Sequence, residues 1–185
     1  MIQIGIGKPE MMHGRLRPGL TLVEMMITLA IAAILLLWGA PSMRALFADA
    51  RAEAKIHSLY HDLVQARYLA LSYQATVTLC PLSTSNQCDG QWHQGYVVFV
   101  DDEPLQSLGG GDLAMFRGDA ISSGDYLKYS ARVNAIRFAP DGFTGQNGSF
   151  YYCSDQDQSS YPLKVVISRT GRAKMEPHEG STGCQ

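Results

Sequence analysis

A single carboxylate interrupts the longest apolar stretch of the sequence. The run Leu20–Trp38 contains Glu24 as its only charged residue. As a helix rising about 1.5 Å per residue, this run covers roughly 28 Å, close to the thickness of the hydrocarbon core of a bilayer. A carboxylate at mid-bilayer costs about 2.5 to 3.5 kcal/mol and is usually paired and functional. The sequence therefore predicts one membrane-spanning helix in which Glu24 has a cationic partner.

Cleavage of the chain after Gly19 would create such a partner. The new α-ammonium group of Leu20 would lie close in depth to the Glu24 carboxylate of a neighbouring copy. The segment Pro18–Glu24, PGLTLVE, resembles the cleavage and methylation motif of type IV prepilins and type II secretion pseudopilins. The resemblance implies that a prepilin peptidase cuts between Gly19 and Leu20 and methylates Leu20, and that Glu24 serves assembly with other pilins. Leu20 departs from the Phe that is most common at this position.

An ordinary secretory signal peptide is the alternative interpretation of the N-terminus, since Ala48-Asp49-Ala50 has the form of an A-x-A cleavage site. The apolar run is too long for that, contains a carboxylate, and is followed by a helical pattern. The weakly basic residues that precede it favour a cytoplasmic N-terminus. We therefore expect a single-pass inner-membrane protein with a periplasmic domain, which enters a pilus or pseudopilus after assembly.

All four cysteines follow the apolar run, on the side expected to be exported. An even number of cysteines in an oxidising compartment favours two disulfides, and four cysteines allow three pairings. Cys80 and Cys88 enclose a short polar loop that a disulfide would hold in place, whereas Cys153 ends a predicted strand and Cys184 is the penultimate residue. We therefore expect the bonds Cys80–Cys88 and Cys153–Cys184.

Hydrophobic periodicity predicts the elements that position these residues. Apolar residues recur at spacings of 3 and 4, which predicts an amphipathic helix with one buried face; they are Ile56, Leu59, Leu63, Ala66, Ala70 and Tyr73. Pro41 should kink the rod between Trp38 and Pro41. Beyond Tyr73 the pattern predicts strands of one antiparallel sheet: Thr76–Cys80, Tyr96–Val100, Leu113–Phe116, Ala135–Phe138, Ser149–Cys153 and Leu163–Ser168. The expected fold is α+β, with a long N-terminal helix packed on the sheet.

The order of these segments resembles one branch of the pilin-like proteins, the GspH/FimT minor pilins and pseudopilins. The segments that carry the resemblance are TVTLCPLSTSNQC, QWHQGYVVFVDDE, IRFAPDGFTGQNGSFYYC and KVVISRTGRAKM. The resemblance implies a minor subunit near the filament tip that helps to prime assembly. The domains expected are a leader at 1–19, a membrane or filament-core helix at 20–40, an amphipathic helix at 41–75 and an exported β-rich domain at 76–185. A pseudopilin of a type II secretion system is the alternative to a pilus subunit.

Catalysis, metals and cofactors find no support in the sequence. There is no G-x-S-x-G motif, no phosphate-binding glycine loop, no C-x-x-C pair, and no histidine at a zinc-site spacing from the cysteines. The adjacent residues Asp101, Asp102 and Glu103 are expected to lie in a solvated turn. We therefore expect a structural subunit that is neither an enzyme nor a cofactor protein.

A basic segment near the C-terminus is a candidate DNA-binding site. Arg169, Arg172 and Lys174 lie in SRTGRAK, which resembles the G-R-x-K/R tail that DNA-binding FimT-like pilins use in DNA uptake. In an extended segment Arg172 and Lys174 would point to the same side. Nearby glutamates and a formal net charge of −2 oppose binding through bulk charge. The plain alternative is a turn that joins two strands and carries solvated charges.

Overall fold

The computed structural model describes residues 19, 21–102, 104–121, 124–154, 160–178 and 184, without the side chains of 37–45 and 160. The chain divides into two compact units, Met1–Arg44 and Ala45–Gln185. One helix, α1 at Leu22–Tyr73, contributes residues to both units. Within the described residues, no helix reaches the combination of length and hydropathy that crossing a bilayer requires. The backbone is helical through Pro41, and the expected kink stays a prediction.

Eight strands follow the helix. They are β1 at Val77–Cys80, β2 at Tyr96–Val100, β3 at Leu113–Gly118, β4 at Asp125–Tyr129, β5 at Ile136–Phe138, β6 at Gly148–Ser154, β7 at Ser160–Ile167 and β8 at Ala173–Pro177. A short 3-10 helix at Trp92–Gln94 precedes β2. Six of these strands overlap the predicted ones, whereas β4 and β8 were not predicted. The sequences of β4 and β8, DYLKY and AKMEP, contain charged residues or proline in place of β-branched residues. These segments therefore form strands because they pair with neighbouring strands, and not because of their local β-propensity.

The strands form two antiparallel sheets, which corrects the expectation of one. The first has the order β3-β2-β1-β5 and the second the order β4-β6-β7-β8. Turn chemistry and alternation mark individual strands but do not say which strands pair, because pairing depends on contacts distant in sequence. The expected α+β class, a long N-terminal helix packed on antiparallel sheet, is confirmed.

One apolar core joins the second half of α1 to both sheets. Ile56, Leu59, Leu63, Ala66 and Ala70 are fully buried, as the periodicity predicted, and Ala52 extends this face by one turn. Tyr73 is 51% exposed, so its predicted place on the buried face is wrong. The core residues of β1, β5, β6 and β7 include Leu79, Phe138, Phe150 and Val165. The helix therefore serves as the common cover of the two sheets.

Both expected disulfides are present. Cys80–Cys88 closes the loop after β1 over the opposite face of the first sheet, where it packs in a second small core with Val97 and Phe99. Cys153–Cys184 ties the C-terminal end to β6, and the Tyr126 hydroxyl donates a hydrogen bond of 2.8 Å to the carbonyl of Cys184. In the chain-entropy model the longer loop stabilises the fold by about 3 to 4 kcal/mol.

Asp101 follows β2 and is only 4% exposed, so the expectation of a solvated turn is wrong at this residue. Its carboxylate accepts hydrogen bonds from the Thr78 hydroxyl and from the backbone N–H of Gln106, the latter at 3.0 Å. Burial raises the pKa of the Asp101 carboxyl despite these donors. The carboxylate anchors the start of the connection between β2 and β3, because it fixes Gln106 against β1.

The raised pKa of Asp101 predicts a pH-dependent stability. A carboxyl group whose pKa is higher in the folded than in the unfolded state favours folding as it protonates. The contribution of Asp101 to the free energy of unfolding should therefore rise as the pH falls from 7 through this raised pKa toward about 4. Denaturant titrations at several pH values, followed by tryptophan fluorescence, measure this slope.

Asp101→Asn should remove this contribution and so change the slope of stability against pH, since the amide keeps a hydrogen-bond acceptor for Gln106 but does not titrate. Asp141→Asn, at an exposed carboxylate that accepts from the N–H of Phe143, is the matched control and should keep the wild-type slope. Identical slopes in wild type and Asp101→Asn would contradict the prediction.

Candidate functional site

The start of α1 holds the first group of predicted functional residues. Thr21 caps the helix, because its hydroxyl oxygen accepts a hydrogen bond of 3.2 Å from the backbone N–H of Glu24. The carbonyl of Thr21 accepts the first helical bond, from Met25 at 3.2 Å. The spacing Thr21-x-x-Glu24 is that of a capping box, a signal that the sequence analysis did not use. Thr21 therefore fixes where the helix starts and which residue occupies its first turn.

Glu24 lies in that first turn and is exposed. Negative charge is favoured near the N-terminus of a helix, where unsatisfied N–H groups carry partial positive charge. Gly19 is exposed, whereas Leu20 lies outside the described residues, so the predicted pairing of its ammonium group with Glu24 stays a prediction.

The first turns of α1 present apolar side chains to every side. All residues from 21 to 36 are exposed, and the large apolar ones among them include Leu22 at 77%, Met26, Ile31 and Leu35. A helix that is apolar all round is stable only where other apolar groups surround it. The described part of the subunit therefore leaves this apolar surface uncovered.

The second group of predicted residues lies in the hairpin between β7 and β8. The N–H of Ser168 donates to the carbonyl of Arg172 at 3.0 Å, and the N–H of Gly171 donates to the carbonyl of Ser168 at 2.9 Å. Gly171 has a φ of +72°, a conformation that glycine adopts without strain. The Gly-Arg element is therefore the tight turn that joins two strands.

The hairpin is held against the helix through a second turn. Any Cβ at Gly171 would collide with the carbonyl oxygen of Gly142. That oxygen accepts a hydrogen bond of 3.0 Å from the Nε of Arg67. Arg67, Gly142 and Gly171 thus form a contact that joins α1, the turn after β5 and the hairpin.

The three predicted cations of the hairpin differ in their surroundings. The Nε of Arg169 donates to the Oδ1 of Asn147 at 3.3 Å, and its carbonyl accepts from the N–H of Thr144 at 3.0 Å. Arg172 and Lys174 are both exposed and alternate with the buried Gly171 and Ala173. Arg169 is therefore fixed on the turn, whereas Arg172 and Lys174 project from one side of the hairpin.

The outer face of the second sheet carries further cations that the sequence analysis missed. Lys174 pairs with Val166, and on the same face Lys164 pairs with Tyr151 of β6, which in turn pairs with Lys128 of β4. Glu176 pairs with Lys164 and is an acid within this set. Residues two apart along a strand share a face, but the register that brings Lys164 and Lys174 onto the same face, diagonally across β7 and β8, depends on the tertiary structure.

In the part of the chain that the structure describes, no cluster of His, Cys, Asp or Glu side chains could hold a metal ion. The candidate site residues lie on two surfaces, the apolar start of α1 with Glu24 and the outer face of the second sheet with Lys164, Lys174 and Glu176.

Comparison with protein-family models identifies the class of protein to which this fold belongs. Residues 15–40 match the model of the prokaryotic N-terminal methylation motif, and residues 55–171 match the family described as type II transport protein GspH. The capped helix and the two sheets define a pilin-like protein, a class of minor pilins and pseudopilins that are structural subunits and not enzymes. Since the GspH match spans more than half of the chain, the chain belongs to the GspH family. The methylation motif implies processing by a prepilin peptidase and assembly with other pilins.

Solved structures share this fold at low sequence identity. The type IV minor pilin FimU of Pseudomonas aeruginosa is 18% identical, with a TM-score of 0.55 over 72% of this chain and 95% of that chain. The minor pseudopilin EpsH of the Vibrio cholerae type II secretion system is 10% identical, with a TM-score of 0.52 over 71% and 98%. No curated protein matches the sequence.

The turn contact predicts that Gly171→Ala destabilises the fold. Left-handed backbone costs a non-glycine residue about 1 to 2 kcal/mol, and the collision with Gly142 adds to this. We expect the free energy of unfolding to fall by at least about 2 kcal/mol.

Gly145→Ala is the matched control, because that glycine has no positive φ and open space around its Cβ position. Its unfolding midpoint in denaturant should change little. Equal midpoints for the two variants would show that the close approach of Gly171 to Gly142 contributes nothing to stability.

Proposed function

We propose that the chain is a minor pilin of a type IV pilus, cut between Gly19 and Leu20 and methylated at Leu20. Before assembly, residues 20–40 anchor it in the inner membrane, with residues 41–185 in the periplasm. After assembly, the same helix lies in the filament core and the β-rich domain faces outward. The subunit acts near the filament tip, where it primes assembly together with other minor pilins.

The exposed apolar surface of residues 22–36 is the observation that carries this proposal. Its side chains have no cover of their own, and their burial in lipid or between helices is favourable by about 25 cal/mol per Å². Helix association within lipid depends on close packing and on polar groups that find partners. Glu24, in the first turn of the same segment, is the polar group that the ammonium of Leu20 would neutralise.

A pseudopilin of a type II secretion system is the alternative role. Both roles use the same anchor and the same fold, so they differ in partners more than in chemistry. The exposed cations of the β7–β8 hairpin favour the pilus, because they give the outward-facing domain a candidate contact with an extracellular polyanion.

The function predicts that Glu24 is needed for assembly but not for insertion. Glu24→Gln and Glu24→Ala should remain in the membrane fraction, since an isolated carboxylate disfavours insertion. Their recovery in sheared filaments should fall at least tenfold. Glu24→Asp keeps the charge and should retain more incorporation than Glu24→Gln.

Intact-mass measurement of the membrane-extracted wild type checks the processing step. The expected mass corresponds to a chain that starts at a methylated Leu20. A mass that starts at Arg51 would support a signal peptide and overturn the proposal, as would wild-type recovery of Glu24→Gln in filaments.

DNA binding is a second candidate function, favoured by the exposure of Arg172 and Lys174 on one side of the hairpin. Lys164 lies on the same sheet face, where it is the register partner of Glu176, so a third phosphate contact would require Lys164 to turn away from that carboxylate. With three contacts, the log–log slope of affinity against salt would be about −3 on duplex DNA. The binding would be weak and independent of sequence.

A paired comparison tests this candidate. Arg172→Gln/Lys174→Gln and Arg117→Gln/Arg132→Gln remove the same charge, and all four residues are exposed. Fluorescence anisotropy with a labelled duplex at low salt should show weaker binding and a slope about two units smaller for the first variant only. Equal losses in both variants would mean that bulk charge, and not the hairpin, is responsible.

A further inference from the structure

The outer face of the second sheet presents an aromatic ring among basic side chains. Lys128 of β4, Tyr151 of β6 and Lys164 of β7 are consecutive register partners, so the tyrosine lies between two lysines. Residues directly opposite each other in a sheet have Cβ atoms about 5 Å apart. All three side chains are partly exposed. A ligand that reaches the Tyr151 ring is therefore next to positive charge.

A second aromatic ring packs against Tyr151. The centroids of the His178 and Tyr151 rings lie 4.9 Å apart, with an angle of 66° between the ring planes. The backbone N–H of His178 donates a hydrogen bond of 2.7 Å to the carbonyl of Pro162, which extends the pairing of β7 with β8 by one residue. This contact restricts the orientation of the Tyr151 ring, so less conformational entropy is lost when a ligand stacks on it.

The positive charge of this face comes mainly from β8 and the turn before it. Arg172 and Lys174 are exposed, and their Cα atoms lie about 7 Å apart along the extended chain. The strands of this sheet contain two carboxylates. One is Asp125, which alternates onto the core face, and the other is Glu176, the register partner of Lys164. When Lys164 is balanced against Glu176, Arg172 and Lys174 remain as an excess of two positive charges.

We propose that this face binds single-stranded nucleic acid, with one unpaired base stacked on the Tyr151 ring and two phosphates held by Arg172 and Lys174. The inference rests on the DNA-binding candidate above and assigns the form of its ligand. Aromatic side chains bind unpaired bases of any sequence by stacking, and cations beside them contact the backbone. In a duplex the faces of the bases are stacked on one another, so Tyr151 could reach only base edges or the backbone.

The positions of these groups favour a flexible strand. Tyr151 and Lys174 are separated by two strand spacings and two residues, which places their Cα atoms roughly 12 Å apart. The path from the ring to Lys174 and on to Arg172 therefore turns from across the sheet to along its edge strand. A single strand can follow such a turn, whereas a duplex has a persistence length of about 150 bp and stays straight over this distance.

The test measures fluorescence anisotropy with the full-length processed protein in nonionic detergent at low salt. The probes are a labelled oligothymidylate, an abasic strand with the same number of phosphates, and a duplex of the same length. One stacked base should make the oligothymidylate bind at least about fivefold more tightly than the abasic strand. Tyr151→Leu should abolish this preference, and Tyr151→Phe, which keeps the ring, should retain it.

Two further variants separate stacking from charge. Tyr68→Leu, at a tyrosine of α1 that is 67% exposed, is the matched control and should retain the preference. Arg172→Gln/Lys174→Gln should weaken the binding of both single strands alike and reduce the log–log salt slope by about 1.4, because two phosphate contacts are lost. Unchanged binding of the abasic strand by Tyr151→Leu shows that the cations of the face are still in place.

Equal affinities of the wild type for the oligothymidylate and the abasic strand, or an unchanged preference in Tyr151→Leu, would overturn the proposal. Duplex binding that is equally tight and insensitive to Tyr151→Leu would overturn it and leave the DNA-binding candidate standing. Stronger competition by polygalacturonate than by the oligothymidylate would assign the face to acidic polysaccharides instead. Absence of binding to every probe would contradict both the proposal and the DNA-binding candidate, whereas the minor-pilin role is tested separately by recovery in filaments.

Discussion

One face of one helix covers two sheets, and the rest of the structure depends on this packing. Ile56, Leu59 and Leu63 are fully buried, and each stabilises the fold by about 1.5 to 3 kcal/mol relative to an exposed position. Residues of both sheets pack against the helix in this common core. A substitution on this helical face therefore affects both sheets at once, whereas one on the outer face of a sheet affects that sheet alone.

Contacts outside the core fix the turns, a loop and the C-terminal end of the chain on the two sheets. Arg67 joins the helix to the Gly142 turn, which lies directly against the β7–β8 hairpin. Cys80–Cys88 fixes a polar loop over the first sheet, and Cys153–Cys184 fixes the end of the chain on the second. The Arg67 contact and the Cys153–Cys184 bond join segments distant in sequence, whereas Cys80–Cys88 closes a local loop.

The chain thus combines a covered and an uncovered part of the same helix. The covered part, with Ile56 and Ala70 on its buried face, is stable through contacts within the subunit. The uncovered part, residues 22–36, exposes leucine, isoleucine and methionine, and apolar side chains gain free energy when they leave water. Burial of the covered part contributes to the folding of the subunit. Burial of the uncovered part requires contacts outside the subunit, so a pilin-like protein is both a folded domain and an assembly element.

The sequence by itself determined what depends on neighbours along the chain. Spacings of 3 and 4 identified the buried helix face, alternation and turn residues identified six strands, and loop contents identified both disulfides. It missed β4 and β8, the division into two sheets, the burial of Asp101 and the placement of Lys164 and Lys174 on one sheet face. Each of these depends on which distant strands pair and on what covers them. Only the tertiary structure decides such contacts, because the local conformational preference of a residue does not specify which residue pairs with it across a sheet.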